Sequence, residues 1–266
     1  MATLMQDHPA WRATDTGATR IMRCGGMPWL LTWTTGASSV VSVPLGDATP
    51  EQPVVDRTEP VAPATGPLSA LAPAFSALGT VLRVRNADLW DALGTAIIRQ
   101  VIRAGQARLM YRRFCEAHGE PVSTPHGATY LFPAASTVLD LPIRAFADLG
   151  MAFKHRPLVA AAQALLDNGE KWATVPTVDL VEQVQTVPRI GPWTAGAAVA
   201  DHSGDFALYP YADLAVRTWA TRAAPGVTWP DDEATFGAVW RHHAAQHLSP
   251  ITLLTLAWGG HHARSQ

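Results

Sequence analysis

The sequence predicts a mainly α-helical fold with a small antiparallel β segment near the N-terminus. Between residues 18 and 44, short runs rich in β-branched and aromatic residues alternate with glycines, which is typical of β-hairpins. From Leu68 onward, apolar residues recur at helical spacing. Six prolines in residues 44–67 indicate an extended connection between the two parts. We therefore expect a β-containing segment over 1–48, a proline-rich linker over 49–67 and a helical body over 68–266.

The individual elements follow from periodicity and from turn residues. Strands are predicted over 21–24, 29–34 and 39–43, with turns at glycines 25–26 and 36. The predicted helices are one capped by Asn86 and running through residues 90–101, one over 104–118, a short one capped by Ser136, one over 156–168 closed by Gly169, and three over 177–186, 231–247 and 250–262.

Composition limits the class of protein. The 266 residues and 48% hydrophobic content suffice for one large domain with a sizeable core. No apolar run approaches the roughly 20 residues of a membrane span, and the first 20 residues lack the apolar stretch of a secretion signal. The two cysteines, Cys24 and Cys115, cannot ligate a four-cysteine iron–sulfur cluster. We expect a cytoplasmic monomer with no membrane association.

Charge gives a mixed indication about nucleic-acid binding. A net charge of −2 and a pI near 6.5 are unusual for a protein that neutralises phosphates. One stretch of 15 residues nevertheless holds five arginines and no carboxylate: Arg99, Arg103, Arg108, Arg112 and Arg113. On a helix, Arg99, Arg103 and Arg113 could share a side, which would be either a solvated helix face or a surface that follows a phosphate backbone. The second possibility predicts weak, salt-sensitive binding to DNA.

Residues 187–197, with the sequence VPRIGPWTAGA, have the pattern of a hairpin between two helices. Val187 and Ile190 are its expected buried residues, and Pro188 and Gly191 are its expected turn formers. Pro192 suits the first position of the second helix, where a missing N–H is tolerated. A glycine with positive φ at 191 would leave backbone N–H groups pointing outward as an anion site. An ordinary turn between helices is the alternative.

Asp213 follows Gly191 by 22 positions and precedes an apolar stripe over 214–219. The stripe indicates a helix whose N-terminus lies at the carboxylate. The helix dipole favours the ionised form of an acid placed there. Asp213 is therefore either a structural N-cap or a functional carboxylate.

The hairpin together with Asp213 resembles the helix-hairpin-helix DNA glycosylase superfamily, and within it the branch of 3-methyladenine DNA glycosylase II-like enzymes. The resemblance runs from about Leu68 to the C-terminus. It includes residues 96–101, the Leu149-Gly150 pair with Lys154, and the segment 209–212 that leads into Asp213. It implies a bundle of helices built around the hairpin.

The resemblance implies a reaction and its catalytic residue. Asp213 would stabilise the cationic sugar and orient the attacking water when an N-glycosidic bond is hydrolysed. The expected substrate is a damaged, alkylated base that has been flipped out of duplex DNA during base-excision repair. Trp193 occupies the position where bifunctional relatives carry the Schiff-base lysine. We therefore expect a monofunctional glycosylase without lyase activity.

The resemblance also implies a base pocket and a DNA surface. Trp193 and Trp258 match aromatic positions on which a cationic base would stack. Ala197 and Gly259 stand where relatives carry further aromatic residues, which predicts a wider pocket. The implied DNA contacts are the wedge pair Gln100 and Val101, the arginines Arg99 and Arg103, and the hairpin residues Pro188, Arg189, Gly191 and Thr194. The main-chain carbonyls of Val187 and Ile190 would hold a monovalent cation, and no other cofactor is expected.

Two other classes of function remain open. One is an N-glycosidase that acts on free nucleosides, nucleotides or a specialised adduct, which the low basicity and altered pocket favour. The other is a non-catalytic DNA-binding module, which the presence of Asp213 disfavours. His243 and His247 are spaced i, i+4 on a predicted helix, but without a third ligand they indicate a polar helix face rather than a zinc site.

Overall fold

The computed structural model describes residues 2–46, 51–62, 65–125 and 127–264, and most of them lie in helices. The helices are α1 (Ala72–Leu78), α2 (Leu89–Arg99), α3 (Ala104–His118), α4 (Ala135–Asp140), α5 (Ile143–Asp148), α6 (Ala152–Trp172), α7 (Thr177–Gln185), α8 (Pro192–Ser203), α9 (Leu214–Ala223), α10 (Glu233–Ala244) and α11 (Leu248–Arg264). Short 3-10 segments cover Pro67–Leu71 and Ala245–His247. The prediction of a mainly helical chain is confirmed.

The strands form three small sheets. They are β1 (Ala2–Leu4), β2 (Arg12–Thr14), β3 (Gly17–Cys24), β4 (Met27–Thr34), β5 (Val41–Pro44), β6 (Val55–Thr58), β7 (Thr80–Val84), β8 (Pro121–Thr124) and β9 (Gly127–Tyr130). Strands β2 to β5 form the antiparallel sheet predicted near the N-terminus, in the order β2-β3-β4-β5. A second sheet has the order β1-β7-β6, in which β1 and β7 are parallel, and β8 pairs with β9.

The second sheet corrects the description of residues 49–67 as a linker. Strand β6 lies within this stretch and pairs along its length with β7, which belongs to the helical body. The stretch is therefore partly a sheet edge, and prolines 53 and 60 flank the strand rather than interrupt it. The predicted boundary at 48–49 lies outside the described residues, as do residues 63–64.

Helix α2 is the centre of the helical body. Its residues from Trp90 to Ile98 are all buried, and it packs against α3, α6 and α8. Close contact with α8 is possible because α8 presents small residues over 195–198.

Some helix boundaries differ from prediction. The N-cap of α2 is Asp88, whose carboxylate accepts hydrogen bonds from the backbone N–H groups of Trp90 and Asp91, at 2.9 and 3.4 Å. Asn86, the predicted cap, is instead fully buried in a polar cluster. Helix α6 begins four residues before its predicted start and continues through Gly169 to Trp172, whose side chain is buried.

A buried polar cluster joins the N-terminal segment to the helical body. The Asp91 carboxylate of α2 accepts a hydrogen bond from Tyr111 at 2.8 Å and lies 3.3 Å from the His8 ring and 3.9 Å from Arg20 of β3. Nearby, Arg83 of β7 forms an ion pair with Asp201 of α8. These charges are removed from water as pairs, which limits the cost of their burial.

None of the helices among the described residues is both long and apolar enough to cross a membrane.

Candidate functional site

The hairpin between α7 and α8 has two buried residues and an exposed tip. Val187 and Ile190 are 5% and 4% exposed, whereas Pro188, Arg189 and Gly191 face solvent. The Ile190 N–H donates to the Val187 carbonyl at 3.1 Å, which closes the turn. The apolar pair therefore fixes the hairpin to the core and leaves its tip available to a ligand.

The backbone of this hairpin differs from prediction at one position. Gly191 has a φ of −88°, and the positive φ of the turn, 69°, belongs to Arg189. Gly191 is the N-cap of α8, and Pro192 occupies the first turn as predicted. No side chain caps this helix, so its first N–H groups remain directed outward. A Cβ added to Gly191 would meet nothing within 4 Å. Its role is therefore not conformational.

Gln100 connects the predicted wedge to the hairpin. Its side-chain amide donates to the Thr194 hydroxyl at 2.7 Å and to the Arg189 carbonyl at 3.3 Å. Thr194 is 2% exposed, so its hydroxyl is directed into the protein rather than to DNA. The two sequence segments assigned to DNA contact thus lie side by side.

Val101 follows the end of α2 in an unusual conformation. Its φ is 55°, a value that a β-branched residue rarely adopts, and its side chain is 97% exposed. An exposed apolar side chain in a strained turn receives no stabilisation from the folded protein itself. Such strain often accompanies a function in binding.

Asp213 occupies the N-cap position of α9 but does not cap the helix with its side chain. Its half-buried carboxylate instead accepts a hydrogen bond from the Tyr209 hydroxyl at 3.0 Å. Tyr209 is 4% exposed, and burial together with the nearby Asp213 charge raises the pKa of its phenol. The phenol therefore stays protonated at neutral pH and remains a donor. Sequence reasoning did not assign Tyr209 a role, although its position four residues before Asp213 could have indicated one.

Arg99 is directed partly inward. It is half-buried, and its positive charge opposes the rise in the pKa of the Tyr209 phenol and helps to lower the pKa of the Asp7 carboxyl. The last residue of α2 therefore acts electrostatically on Tyr209, the hydrogen-bond partner of Asp213. Sequence reasoning assigned it only to DNA phosphates.

The other predicted arginines divide into two groups. Arg103 and Arg113 are exposed. Arg108 and Arg112 donate instead to main-chain carbonyls of the N-terminal segment, among them those of Gln6 and Pro9, both at 3.1 Å. Arg108 and Arg112 lie outside the group that the sequence places on one side of the helix, and they hold the N-terminal segment against α3.

The two candidate pocket tryptophans are each half-buried on a helix. Trp193 lies on the first turn of α8, next to Thr194. Trp258 lies on α11, and the His262 ring stacks on it with the ring centroids 3.9 Å apart at an angle of 25°. One face of the Trp258 indole is therefore covered by an imidazole.

The missing side chain at Gly259 does not leave an empty space. A Cβ at this position would lie 2.2 Å from ring atoms of Trp219 on α9. The indole of Trp219 therefore fills the space beside Trp258 for which the sequence predicted a wider pocket. At Ala197, which is 6% exposed, the small side chain lies against the core.

A large cavity of about 920 Å³ lies beside this region rather than at it. It is lined by α7, the start of α8, residues 207–212 and α10, and it touches Tyr209 but not Asp213. No group of three or more metal-binding side chains occurs among the described residues, those of His243 and His247 included.

Comparison with known proteins gives a consistent result. No family model matches the chain. Over 173 residues, 62% of this chain, it is 27% identical to the "Probable bifunctional transcriptional activator/DNA repair enzyme AlkA" of Mycobacterium tuberculosis. The chain covers 34% of the length of that relative.

Solved structures match over a larger part of the chain. A 3-methyladenine DNA glycosylase from Archaeoglobus fulgidus superposes with a TM-score of 0.72 at 15% identity, covering 94% of this chain and 90% of that one. The 8-oxoguanine glycosylase/lyase of Clostridium acetobutylicum gives a TM-score of 0.68 at 14% identity, covering 96% and 90%. Together with the hairpin geometry, these matches show that the chain has the fold of the helix-hairpin-helix DNA glycosylases.

Proposed function

We propose that this chain is a monofunctional DNA glycosylase that hydrolyses the N-glycosidic bond of a flipped-out, alkylated base in duplex DNA. One observation carries the proposal: Asp213 begins α9 without capping it and is held by the buried Tyr209 phenol. A carboxylate that only capped its helix would bond the backbone N–H groups of the first turn. Asp213 does not, so its remaining acceptor capacity is available to substrate and water.

Binding would begin at the hairpin. The uncapped start of α8 offers backbone N–H groups to a phosphate, and the bare Cα of Gly191 lets the phosphate approach closely. Val101 would then enter the base stack where the extruded nucleotide has left. Arg103 and Arg189, both exposed, would add charge contacts to the backbone.

The extruded base would stack on Trp193 and Trp258. A positively charged alkylated purine gains cation–π attraction to an indole as well as stacking, about 1–3 kcal/mol for each base. His262 covers one face of Trp258, so the base would use the other face or displace the imidazole. The half-buried position of each indole is compatible with stacking.

Asp213 would act on the sugar. As the C1′–N bond breaks, both bonding electrons stay on the nitrogen of the base. A cationic alkylated base is thereby released as a neutral molecule. The ionised carboxylate stabilises the positive charge that develops on the sugar. The oxygen of a water molecule then bonds to C1′, and the proton lost by that water passes to Asp213 and on to solvent.

The two lysines of the chain support hydrolysis without strand cleavage. A lyase step needs a free amine that can form a Schiff base at C1′. Lys154 is 1% exposed, and its Nζ donates to two main-chain carbonyls. Lys171 is exposed at the end of α6, where it contacts Gln183 at 3.2 Å. Neither amine belongs to the elements that form the candidate site.

We further propose that the hairpin holds a monovalent cation. The donor set fits, because the buried side chains of Val187 and Ile190 fix the orientation of their carbonyls, and a carbonyl has two lone pairs. The cation would supply positive charge beside the DNA phosphate. It would take no part in bond cleavage.

The relatives support the substrate class without establishing it. The Archaeoglobus protein is a 3-methyladenine glycosylase, and the Mycobacterium protein is named as a DNA repair enzyme, but their identities to this chain are 15% and 27%.

A panel of duplex oligonucleotides tests the proposal. Each carries one lesion, among them 3-methyladenine, 7-methylguanine and 8-oxoguanine, and abasic sites are scored after alkali treatment. We expect release of an alkylated base, no strand cleavage without alkali, and no protein–DNA adduct after borohydride reduction. Asp213→Asn should abolish release while DNA binding persists.

The same panel separates the alternatives. Release from 7-methylguanosine at a rate equal to that from duplex DNA would indicate a nucleoside N-glycosidase. DNA binding without release from any lesion, and with no effect of Asp213→Asn, would indicate a non-catalytic module. Either result would overturn the proposal.

A further inference from the structure

The turn after α2, which presents Val101, is held from two sides. From α6, the Lys154 ammonium donates to the Ile97 carbonyl at 2.7 Å and to the Gln100 carbonyl at 2.8 Å. From the other side, the Gln100 amide donates to Thr194 and Arg189 of the hairpin region. The residue before Val101 is thus fixed through both its main chain and its side chain.

The burial of Lys154 is costly and needs a reason. The residue is 1% exposed, and none of the ion pairs among the described residues includes it. Burial lowers the pKa of its amine to about 8. Its two acceptors are carbonyls in the last turn of α2, where the helix dipole favours a cation. A methionine of similar length would fill the same space but could not bond these carbonyls.

The turn is strained and does not support itself. A β-branched residue in the left-handed region costs roughly 1–2 kcal/mol. The Val101 side chain, at 97% exposure, recovers none of that cost by packing. The conformation persists only if the surrounding contacts fix it. The contacts adjacent to it are those of Lys154 and Gln100.

We propose that Lys154 and Gln100 are positioning residues that hold Val101 in place for insertion into the DNA stack and link it to the phosphate-binding hairpin. The inference rests on the proposed function, because it assigns Val101 to the gap left by the flipped base. It extends that function by naming the residues that fix the position of Val101. Lys154 touches neither base nor sugar.

Comparison of duplex with single-stranded substrate tests this role. A single strand has no opposing base stack to fill, so a misplaced wedge should matter only for the duplex. We expect Lys154→Met and Gln100→Leu each to reduce single-turnover excision from duplex at least tenfold and from single strand less than threefold. Lys171→Met removes the only other lysine side chain and should match the wild type on both.

A fluorescence measurement reports the insertion of Val101 into DNA and does not require base excision. In a duplex with 2-aminopurine next to a tetrahydrofuran abasic analogue, insertion of a side chain breaks base stacking and raises the emission. At saturating protein, the wild type and Lys171→Met should give the full rise. Lys154→Met and Gln100→Leu should each give less than half of it.

The outcomes distinguish the two proposals. Equal losses on duplex and single strand, with an unchanged fluorescence rise, would overturn the positioning role and leave the glycosylase proposal standing. If the wild type excised none of the lesions, the glycosylase proposal would fail, and the fluorescence comparison would still decide the positioning role. If Lys154→Met does not fold, Gln100→Leu gives the decision, because Gln100 is half-buried and its substitution leaves the core intact.

Discussion

In the proposed reaction, Asp213 and Tyr209 form the pair on which the chemistry depends. An aspartate at a helix start can serve the helix or a ligand, and its hydrogen bonds distinguish the two. The Asp213 carboxylate binds the phenol four residues earlier rather than the first turn of α9. Because the phenol is buried and its pKa is raised, it donates at neutral pH and fixes the direction of the carboxylate. In the proposed reaction, Tyr209 is thus the residue that positions Asp213.

The Tyr209→Phe variant should slow excision without loosening the fold. A hydrogen bond to a charged group is worth about 1.5–3 kcal/mol, which corresponds to roughly 10–100-fold in rate if it is needed only to orient Asp213. Single-turnover excision from alkylated duplex should fall by that factor, while the dissociation constant for DNA stays the same. An unchanged rate would show that the phenol does not position the carboxylate.

Several site residues could be predicted one by one, but their contacts could not. Asp213 and the hairpin have recognisable local patterns. Tyr209, and the bond between Gln100 and Thr194 across 94 residues, depend on how separate segments pack, and spacing along the chain does not reveal this. The positive φ was expected at Gly191 because glycine adopts it easily, yet the turn assigns it to Arg189.

Gly191, at the exposed tip of the hairpin, has a backbone conformation that other residues can adopt. With φ at −88° and open space around a Cβ, alanine fits the free protein and should raise its stability by about 0.4–1 kcal/mol. The added methyl would lie where a phosphate must approach the N-terminus of α8. We expect Gly191→Ala to weaken binding to abasic-analogue DNA about tenfold in fluorescence anisotropy while urea unfolding shows no loss.

Gly226→Ala is the matched control for that substitution. Gly226 is exposed in the connection between α9 and α10, and a Cβ there also meets nothing within 4 Å. This variant should bind DNA as the wild type does. If Gly191→Ala also kept its affinity, the hairpin tip would not be the phosphate site.

Helix α3 has a candidate DNA contact at its start and structural contacts further along. Arg103 is exposed at its start, two residues after Val101, whereas Arg112 donates to carbonyls of Pro9 and Trp11. Arg103→Gln should remove about one phosphate contact and reduce the slope of log affinity against log salt by about 0.9. Arg112→Gln should leave DNA affinity unchanged and lower the free energy of unfolding by about 1–3 kcal/mol. If Arg112→Gln weakened DNA binding and Arg103→Gln only lowered stability, the assignment of these two arginines would be refuted.

Long periodic elements were predicted well, and short strands were not. Helix α3 was predicted with its observed boundaries, because 15 residues show the 3.6 period and Gly119 ends it. Strands β1 and β6 have three and four residues, too few to show alternation, and they form only because β7 pairs with both. Sheets assembled from distant segments depend on partners that local sequence does not contain.

The whole molecule is held together across the boundary between its sheets and its helices. Apolar clusters form on each side, one around Trp11 and Trp33 and a larger one among the helices. Between them lie the buried charges of Asp91, Arg20 and Arg83, together with the arginines that α3 extends to the N-terminal segment. Since the charges of Arg99 and Asp7 near this boundary act on the pKa of the Tyr209 phenol, its integrity affects the site as well as stability.

The stability of this boundary should depend on pH through Asp91. Burial alone would raise the pKa of its carboxyl, but His8, Arg20 and the Tyr111 hydroxyl outweigh that effect, so the pKa lies below its ordinary value. A carboxyl whose pKa is lower in the folded state stabilises the protein above its unfolded value, near 4, and loses this contribution as pH falls through the folded value.

Asp91→Asn should therefore cost most at neutral pH and least in acid. Removing one member of a buried charge cluster leaves Arg20 uncompensated, which costs about 3–5 kcal/mol at pH 7. As pH falls from about 4 through the lower pKa of the folded state, the wild type progressively loses the same contribution, so urea unfolding of the two proteins should converge. Asp15→Asn, in an exposed turn between β2 and β3, should differ little from the wild type throughout. A cost of Asp91→Asn that stayed constant from pH 7 to pH 3 would mean that the carboxylate charge does not hold the sheets to the helices.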